Sequence, residues 1–242
     1  SGSRLTSIGS AAFERTAIAS ISLPSTLTFL GNYAFWSNSA LTSIVIPEGV
    51  SALYQNTFAY ITTLTSVTLP INLSYIGMET FKGATALTSL IIPNRVSDFG
   101  ANAFTNTTAL TTYTYCGTVS DADLATAGLG GKTKTCLPPV SFDCPTGGGT
   151  YQVDYGVLIS ITGICRGDLT LDNSVRVIDT YALGNNQLTS LTIPESVISI
   201  VGSPFGGNSA RSLVSINVAE SNPNYSSVGG VLFNKLQTQL IV

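Results

Sequence analysis

The chain has 242 residues, which is enough for one large domain or two modest ones with a sizeable core. Only 10% of the residues are charged and the net charge is −3, so the chain lacks the clustered Lys and Arg that bind nucleic acid. No apolar stretch approaches the roughly 18–20 residues that cross a bilayer, so we expect no membrane insertion of this segment.

A period of 23 residues runs through the first half of the chain. Prolines recur at this interval, and phenylalanines follow each proline by eleven residues. The prolines are Pro24, Pro47, Pro70 and Pro93, and the phenylalanines are Phe35, Phe58, Phe81 and Phe104. Phe13 leads the second series one residue out of step. Chance does not give this spacing so many times, so the sequence predicts a repeat protein.

An alternating apolar segment before each proline predicts one short β-strand per repeat. In the copy at residues 41–46, Ile44 and Ile46 are expected to point inward and to stack on their counterparts one repeat away. The return segment carries a second apolar set, which includes Leu53 and Phe58. One repeat alone cannot bury both sets, so the repeats are predicted to stack into a coil with a parallel sheet and a continuous core.

The outward positions of these strands form two rows of candidate ligand-binding residues. The first row is Ser20, Ser43, Ser66, Ser89 and Thr112, and the second is Ser22, Val45, Thr68, Ile91 and Thr114. Uncharged hydroxyl and methyl groups suit a protein partner or a glycan. Thr and Ser at strand spacing are also typical of an ice-binding face. Small β-forming residues suit exposed strands in any case, so the rows alone do not define a site.

The four cysteines lie in the stretch that breaks the period. They are Cys116, Cys136, Cys144 and Cys165, and they allow three pairings. We favour Cys116–Cys136 and Cys144–Cys165, because each pair closes a short local loop worth roughly 3 kcal/mol. Two disulfides imply an oxidising, extracellular setting, whereas the alternative is four buried free thiols in a cytosolic protein. Without a Cys-x-x-Cys pair or any histidine, neither a metal site nor a cofactor is predicted.

Two local motifs stand out in this interruption, residues 116–165. Ser120-Asp-Ala-Asp123 resembles a capping box and predicts a short helix that ends at Gly128. Farther on, alternating apolar residues on either side of Asp154-Tyr155-Gly156 predict a β-hairpin with a short turn. Pro138-Pro139 between the two motifs is a candidate for a stiff linker.

The repeat frame then returns. Residues 188–193 have the same alternating apolar pattern as the earlier copies, and Pro194 follows them directly. With Ile76-Gly77…Phe81 and the Asn222-Pro-Asn-Tyr225 segment, these residues resemble the BspA-like (Treponema pallidum-type) leucine-rich repeats. The pattern of that family is roughly L-T-S-I-x-I-P…V-x-x-I-G…A-F. The resemblance covers nearly all of the chain except about 116–164.

The resemblance implies a leucine-rich-repeat solenoid, a right-handed α/β-type coil dominated by short parallel β-strands and closed by a disulfide-bonded capping region. We predict a first array with a disulfide-tied C-terminal cap at 1–136, a linker and hairpin N-terminal cap at 137–164, and a second, shorter array at 165–242. On the family's geometry the two outward rows lie on the concave side, the usual ligand surface of a solenoid.

The same resemblance implies a secreted or cell-surface protein that binds an extracellular protein or a glycan, and we expect a monomer. No catalysis is predicted, since the chain has no histidine and its carboxylates are scattered singly. The leading hypothesis is therefore a non-catalytic binding module that uses the concave β-sheet. The alternatives are a structural spacer within a larger surface protein and an ice- or surface-binding Thr/Ser face.

The tripeptide Arg166-Gly167-Asp168 matches the sequence that integrins recognise. Its functional interpretation is cell attachment. We favour a chance match, because the tripeptide lies beside Cys165 at a repeat position whose backbone is expected to be held in the coil.

Overall fold

The computed structural model describes residues 4–136, 138–184, 186–206 and 212–241. The chain divides into two compact units, Ser1–Leu137 and Pro138–Val242, and each has its own hydrophobic core. We refer to them as unit 1 and unit 2. The boundary between them falls next to residue 136, and the assignment of 137–164 as a separate cap stays a prediction.

Unit 1 consists mainly of strands of two or three residues. In chain order they are β1 (Ser7–Ile8), β2 (Phe29–Leu30), β3 (Ser43–Val45), β4 (Ala52–Leu53), β5 (Ser66–Thr68), β6 (Tyr75–Ile76), β7 (Ser89–Ile91), β8 (Asp98–Phe99), β9 (Thr112–Thr114) and β10 (Thr133–Thr135). A short helix α1 (Asp121–Leu124) and a π-helical turn (Ala125–Leu129) lie between β9 and β10.

These strands form two sets of parallel ladders on different sides of the coil. On one side β3 pairs with β5, and β7 pairs with β9, which pairs with β10. We call this side the hydroxyl sheet. On the other side β1 pairs with β2, and β4 pairs with β6, which pairs with β8. We call this side the return sheet. The predicted coil of short parallel strands is confirmed.

A column of stacked phenylalanine rings fills the third side of unit 1. Consecutive rings lie 5.1–5.6 Å apart between centroids, and their planes differ by 7–15°. The column consists of Phe13, Phe35, Phe58, Phe81 and Phe104. All but the partly buried Phe13 have no exposed surface. The 23-residue phenylalanine period is therefore the spacing of one ring per turn.

The backbone around this column alternates between two kinds of hydrogen bond. The N–H of Phe35 donates to Thr57 O in the next turn at 2.9 Å, whereas the N–H of Trp36 closes a local turn to Tyr33 O at 3.0 Å. The alternation requires a left-handed backbone conformation, and at one position in each turn the residue that adopts it is not glycine. This position is occupied by Ala11, Tyr33, Asn56, Glu79 and Asn102, with φ between 56° and 60°. Each costs roughly 1–2 kcal/mol in an isolated chain, which the bonds between turns offset.

The first repeat copy differs from the prediction. Residues 18–23 form no strand, and Ile21 and Leu23 are only partly buried. This copy packs less completely than the internal copies, in which residues such as Ile44 and Ile46 are buried.

The other end of unit 1 is closed by the interruption. Leu124, Ala127 and Leu129 are buried against the core that ends at Phe104. Ser120 accepts a hydrogen bond from the Asp123 N–H at 3.2 Å, as predicted for an N-cap. The Asp123 carboxylate accepts from the Ser120 hydroxyl at 2.6 Å rather than from its backbone N–H, because the aspartate side chain is shorter than that of the usual glutamate.

Gly128 adopts φ 92°, as predicted for the residue that ends the helix. A Cβ at this position would also lie 2.6 Å from Thr105 N in the preceding turn. Only glycine allows both the backbone conformation and the close approach.

Unit 2 contains longer strands. They are β11 (Val140–Asp143), β12 (Thr150–Asp154), β13 (Val157–Thr162), β14 (Arg166–Thr170), β15 (Val177–Ile178), β16 (Gln187–Ile193), β17 (Ser199–Ile200), β18 (Ser215–Val218), β19 (Tyr225–Val228) and β20 (Val231–Asn234). They form a five-stranded sheet in the order β11-β12-β13-β15-β17, a parallel sheet in the order β14-β16-β18, and the hairpin β19-β20.

The predicted hairpin is confirmed as β12 and β13, which are antiparallel. Tyr155 and Gly156 connect them with φ of 46° and 86°, the two left-handed residues of a type I′ turn. Strand β13 also pairs in parallel with β15, so the hairpin and the repeat share one sheet. The hairpin thus covers an edge that would otherwise be open.

Asn222 explains the Asn-Pro-Asn-Tyr segment near the end of the chain. Its buried amide donates to Pro194 O at 2.8 Å and to Val197 O at 3.0 Å, and accepts from the N–H groups of Asn224 and Tyr225. The Tyr225 hydroxyl accepts from Ile200 N–H at 2.8 Å, and burial raises the pKa of this tyrosine. One side chain thus satisfies four backbone groups where the last repeat turns into a hairpin.

Both favoured disulfides are confirmed, Cys116–Cys136 and Cys144–Cys165. They bridge sequence separations of 20 and 21 residues. The first joins the end of the hydroxyl sheet to the segment after β10, and the second lies in the core of unit 2.

The phenylalanine column leads to a first prediction. We expect Phe58→Ala to lower the free energy of unfolding by about 3–5 kcal/mol, because the substitution removes a fully buried ring that stacks on both neighbouring turns. Urea denaturation followed by circular dichroism measures the change. Val45→Thr, on an exposed strand position, serves as the control and should change stability by less than about 0.5 kcal/mol. Equal, small effects of both substitutions would contradict a stabilising column.

The disulfides lead to a second prediction. The variant Cys116→Ala/Cys136→Ala should lose roughly 3 kcal/mol of stability, since the unfolded chain gains the entropy of an open loop. Cys144→Ala/Cys165→Ala is the matched variant in unit 2 and should lose a similar amount. Guanidinium denaturation of both variants tests this, and a loss below about 1 kcal/mol in each would show that neither loop closure matters.

Candidate binding surface

The hydroxyl sheet aligns the predicted outward residues in register. Ser43 lies opposite Ser66, and Val45 lies opposite Thr68. In the next ladder Ser89 lies opposite Thr112, and Ile91 lies opposite Thr114. Neighbouring strands of a sheet are about 4.8 Å apart, so the side chains form two regular rows. All of these residues are exposed except the half-buried Thr114.

The two serines of the first repeat copy are exposed but do not extend the rows through a paired strand. Ser20 and Ser22 lie in the segment without β structure described above. The sequence pattern at 18–23 matches its counterparts, so the sequence does not predict this difference in pairing.

Strand β10 extends both rows, which the sequence reasoning missed. Thr133 lies opposite Thr112, and Thr135 lies opposite Thr114. The hydroxyl oxygens of Thr114 and Thr135 are 3.0 Å apart. The Thr-Lys-Thr alternation at 133–135 carries a strand signal, but it lacks the apolar inward residue and the proline of the repeat frame. Lys134 instead forms an ion pair with Asp121, and this hydrogen bond raises the pKa of the lysine.

The rows contain no ionisable side chain, although they contain large apolar ones. Val45 is 65% exposed and Ile91 is 59% exposed, so the hydroxyl sheet presents methyl groups as well as hydroxyls to solvent. The surface offers hydrogen bonding and apolar contact but no charge for a charged ligand.

Exposed aromatic side chains of unit 1 lie on the other sides of the coil. Tyr54 and Tyr60 are exposed and Trp36 is half-buried. The guanidinium of Arg15 lies 4.7 Å from the centre of the Trp36 ring, and the Trp36 and Tyr60 rings meet edge to face at 5.9 Å. Tyr113 and Tyr115 are buried.

A lysine completes this aromatic group. The Lys82 ammonium lies 5.9 Å from the centre of the Tyr60 ring and 2.8 Å from a carboxylate oxygen of Glu79. The hydrogen bond to Glu79 raises the pKa of Lys82. These charges are therefore paired with each other at the surface.

Two aromatic residues on the return sheet, the exposed Phe29 and the half-buried Tyr75, were not singled out by the sequence reasoning. Phe29 of β2 is 41% exposed, and its ring lies 5.4 Å from that of Tyr54, which lies 6.5 Å from that of Tyr75 in β6. The repeat frame could have identified them, because position 29 recurs at 52, 75 and 98 and carries an aromatic residue only twice.

The tripeptide Arg166-Gly167-Asp168 lies within strand β14. Its backbone is therefore held in the coil, as expected if the match to the integrin sequence is due to chance. The Asp168 carboxylate accepts hydrogen bonds from Ser190 at 2.7 Å and Thr189 at 2.8 Å. These two bonds lower the pKa of Asp168. The carboxylate is therefore engaged with the neighbouring strand of its own sheet.

Across the residues that the structure describes, no group of three or more Cys, Asp and Glu side chains is arranged to hold a metal ion. In the same ranges, no helix is long and apolar enough to span a bilayer.

Solved structures similar to this chain include proteins described as leucine rich. A leucine-rich repeat protein from Bacteroides ovatus is 27% identical, with 88% of this chain and 52% of that chain covered and a TM-score of 0.44. A leucine rich cell surface protein from Faecalibacterium prausnitzii is 21% identical, with 88% and 64% covered and a TM-score of 0.29. The pneumococcal vaccine antigen PcpA is 18% identical, with 98% and 42% covered and a TM-score of 0.30.

The chain spans about half the length of the Bacteroides protein. Comparison with curated protein sequences finds no match.

The sequence model of the family described as BspA type leucine rich repeat region matches this chain in six copies, at residues 2–123 and 166–238. These ranges contain well over half of the chain and exclude most of the interruption. The matched copies coincide with the paired parallel strands, the phenylalanine column and the Asn222 segment. The chain therefore belongs to the BspA-type leucine-rich-repeat family.

Proposed function

We propose that the chain is a non-catalytic binding module of a secreted or cell-surface protein, and that it recognises an extracellular protein or a glycan. The observation that carries this proposal is the hydroxyl sheet, whose outward rows are exposed, in register and without charge. These side chains do not contribute to the core, so the fold leaves them free for contact with a ligand.

The two disulfides support the extracellular part of the proposal. Disulfides persist in oxidising compartments and are rare in the cytosol. Both of them join segments of the interruption rather than the repeats themselves, where they hold the coil ends closed.

A structural spacer is the second candidate function. The observation that favours it is the uniformity of the first row, which reads Ser, Ser, Ser, Thr and Thr from β3 to β10. Interchangeable repeats are sufficient for a rigid support.

An ice- or surface-binding face is the third candidate. The second row reads Val, Thr, Ile, Thr and Thr, and this regular array of β-branched residues favours contact with an ordered surface. Thermal hysteresis of the purified chain tests this candidate without any macromolecular ligand.

A screen against glycan and extracellular-protein arrays tests the leading proposal. We expect the variant Ser43→Lys/Ser66→Lys/Ser89→Lys to lose binding that the unmodified chain shows, because three ammonium groups in one row block an uncharged ligand. Ser51→Lys/Ser74→Lys/Ser97→Lys is the matched control, with the same charge change at the same 23-residue spacing outside the hydroxyl sheet.

The control separates the possible sites. Loss of binding in the first variant alone would support the hydroxyl sheet, and loss in the control alone would place recognition near the return sheet. Absence of binding by the unmodified chain to every protein and glycan would contradict the proposed function and favour the spacer.

A further inference from the structure

Two exposed aromatic residues and one half-buried one form a continuous strip across three turns of the return sheet. The strip consists of Phe29, Tyr54 and Tyr75, with ring centroids 5.4 Å and 6.5 Å apart. Phe29 and Tyr75 are outward residues of strands β2 and β6, and Tyr54 directly follows β4 between them. The rings therefore lie on the same side of the coil.

The fold does not require aromatic residues at these positions. The outward position of the return-sheet ladder is occupied in successive turns by Ser7, Phe29, Ala52, Tyr75 and Asp98. Serine, alanine and aspartate are accommodated in the same backbone geometry, so packing does not explain the rings.

Tyr54 is an exception within its own column. The equivalent residues one turn before and after it are Gly31 and Gly77, and the next is Gly100. A Cβ at Gly31 would lie 2.5 Å from a backbone nitrogen of Ser10, and one at Gly77 would lie 2.8 Å from Leu53 O. The column thus favours glycine, yet at this turn it carries a large ring that is 37% exposed and contacts Phe29.

The area of the strip is too small for a protein partner. A whole aromatic side chain offers about 150–250 Å². Since Phe29 and Tyr54 expose about two fifths of their surface, the strip offers on the order of 200 Å². A stable protein interface buries roughly 800 Å² on each partner. The strip is a suitable size for a few rings of a small or chain-like ligand.

The groups beside the strip are uncharged and polar. Ser51 and Ser74 are exposed and directly precede strands β4 and β6. The Ser74 hydroxyl donates a hydrogen bond to the Ser51 carbonyl oxygen at 3.0 Å. Asn32 is exposed on the turn that precedes Tyr54, and its side-chain oxygen accepts from Gln55 N–H at 3.1 Å. In the ladder itself Asp98 is the one ionisable outward residue, one turn beyond Tyr75.

We propose that this strip binds a neutral oligosaccharide. A pyranose ring has an apolar face of C–H groups that stacks on an aromatic ring, and an edge of hydroxyls that bonds to serine, amide and tyrosine groups. Successive sugars of a chain are separated by about the distance between these rings, so consecutive units meet consecutive turns. The absence of cations beside the rings in the ladder disfavours an acidic polysaccharide. This inference rests on the proposed binding function. It names the class of partner, and it places the binding site on the return sheet rather than on the hydroxyl sheet.

Affinity electrophoresis and calorimetry of the full chain test the strip, with soluble glucan, xylan and galactomannan as neutral probes and polygalacturonate as the acidic one. We expect binding to at least one neutral probe. Tyr54→Ala and Phe29→Ala should each weaken it by about tenfold, the effect of losing a contact that dominates an interface. Tyr54→Phe should retain most of the affinity, because the ring remains.

Tyr181→Ala in unit 2 is the matched control, since this tyrosine is 66% exposed and lies outside the strip. Circular dichroism of each variant verifies that the fold is retained. The inference is overturned if no neutral probe binds, if polygalacturonate binds more tightly than all of them, or if the strip variants bind within about twofold of the unmodified chain. If an extracellular protein still binds in those cases, the proposed function stands and only the glycan strip is wrong.

Discussion

The stacked phenylalanine column is the interaction on which unit 1 depends. One ring per turn lies face to face with the next at about the distance between neighbouring strands, so the column sets the rise of the coil. The backbone around it must pass through the left-handed region at two places in each turn to direct alternate N–H groups along the coil axis. That conformation suits asparagine but is unfavourable for tyrosine and glutamate, and it persists there because each turn is held by its neighbours.

Because the core and the outward surface use different positions of each repeat, the surface residues are free to vary. Core packing uses the inward residues of the two ladders and the phenylalanines, and the backbone bonds between turns are independent of side-chain identity. The outward positions therefore carry little structural constraint, and their composition is open to selection for contact with other molecules. The hydroxyl sheet shows the same few residue types in each turn, whereas the return sheet shows serine, phenylalanine, alanine, tyrosine and aspartate at one position.

The ends of the coils show how the open edges of a repeat array are handled. In unit 1 the helix, the π-helical turn and strand β10 cover the last phenylalanine, and a disulfide ties the segment. In unit 2 a hairpin continues the sheet on one side, and the Asn222 amide and the β19-β20 hairpin end the repeat on the other. Each device supplies partners for backbone groups that would otherwise face water at the edge of a sheet.

The sequence by itself determined the repeat, the inward residues and the cysteine pairing. Proline, phenylalanine and alternating apolar residues at a fixed interval have one consistent interpretation, and short local loops favoured the pairs Cys116–Cys136 and Cys144–Cys165. The type I′ turn at Tyr155-Gly156 and the helix end at Gly128 were also predictable, since local backbone conformation depends on nearby residues. Only the tertiary structure decided which outward side chains meet. Thr133 and Thr135 joined the rows because β10 pairs with β9 across twenty-one residues, whereas residues 18–23 form no strand although their sequence fits the repeat frame. The contact of Phe29, Tyr54 and Tyr75 likewise arises between turns, where the distance along the chain gives no measure of the distance in space.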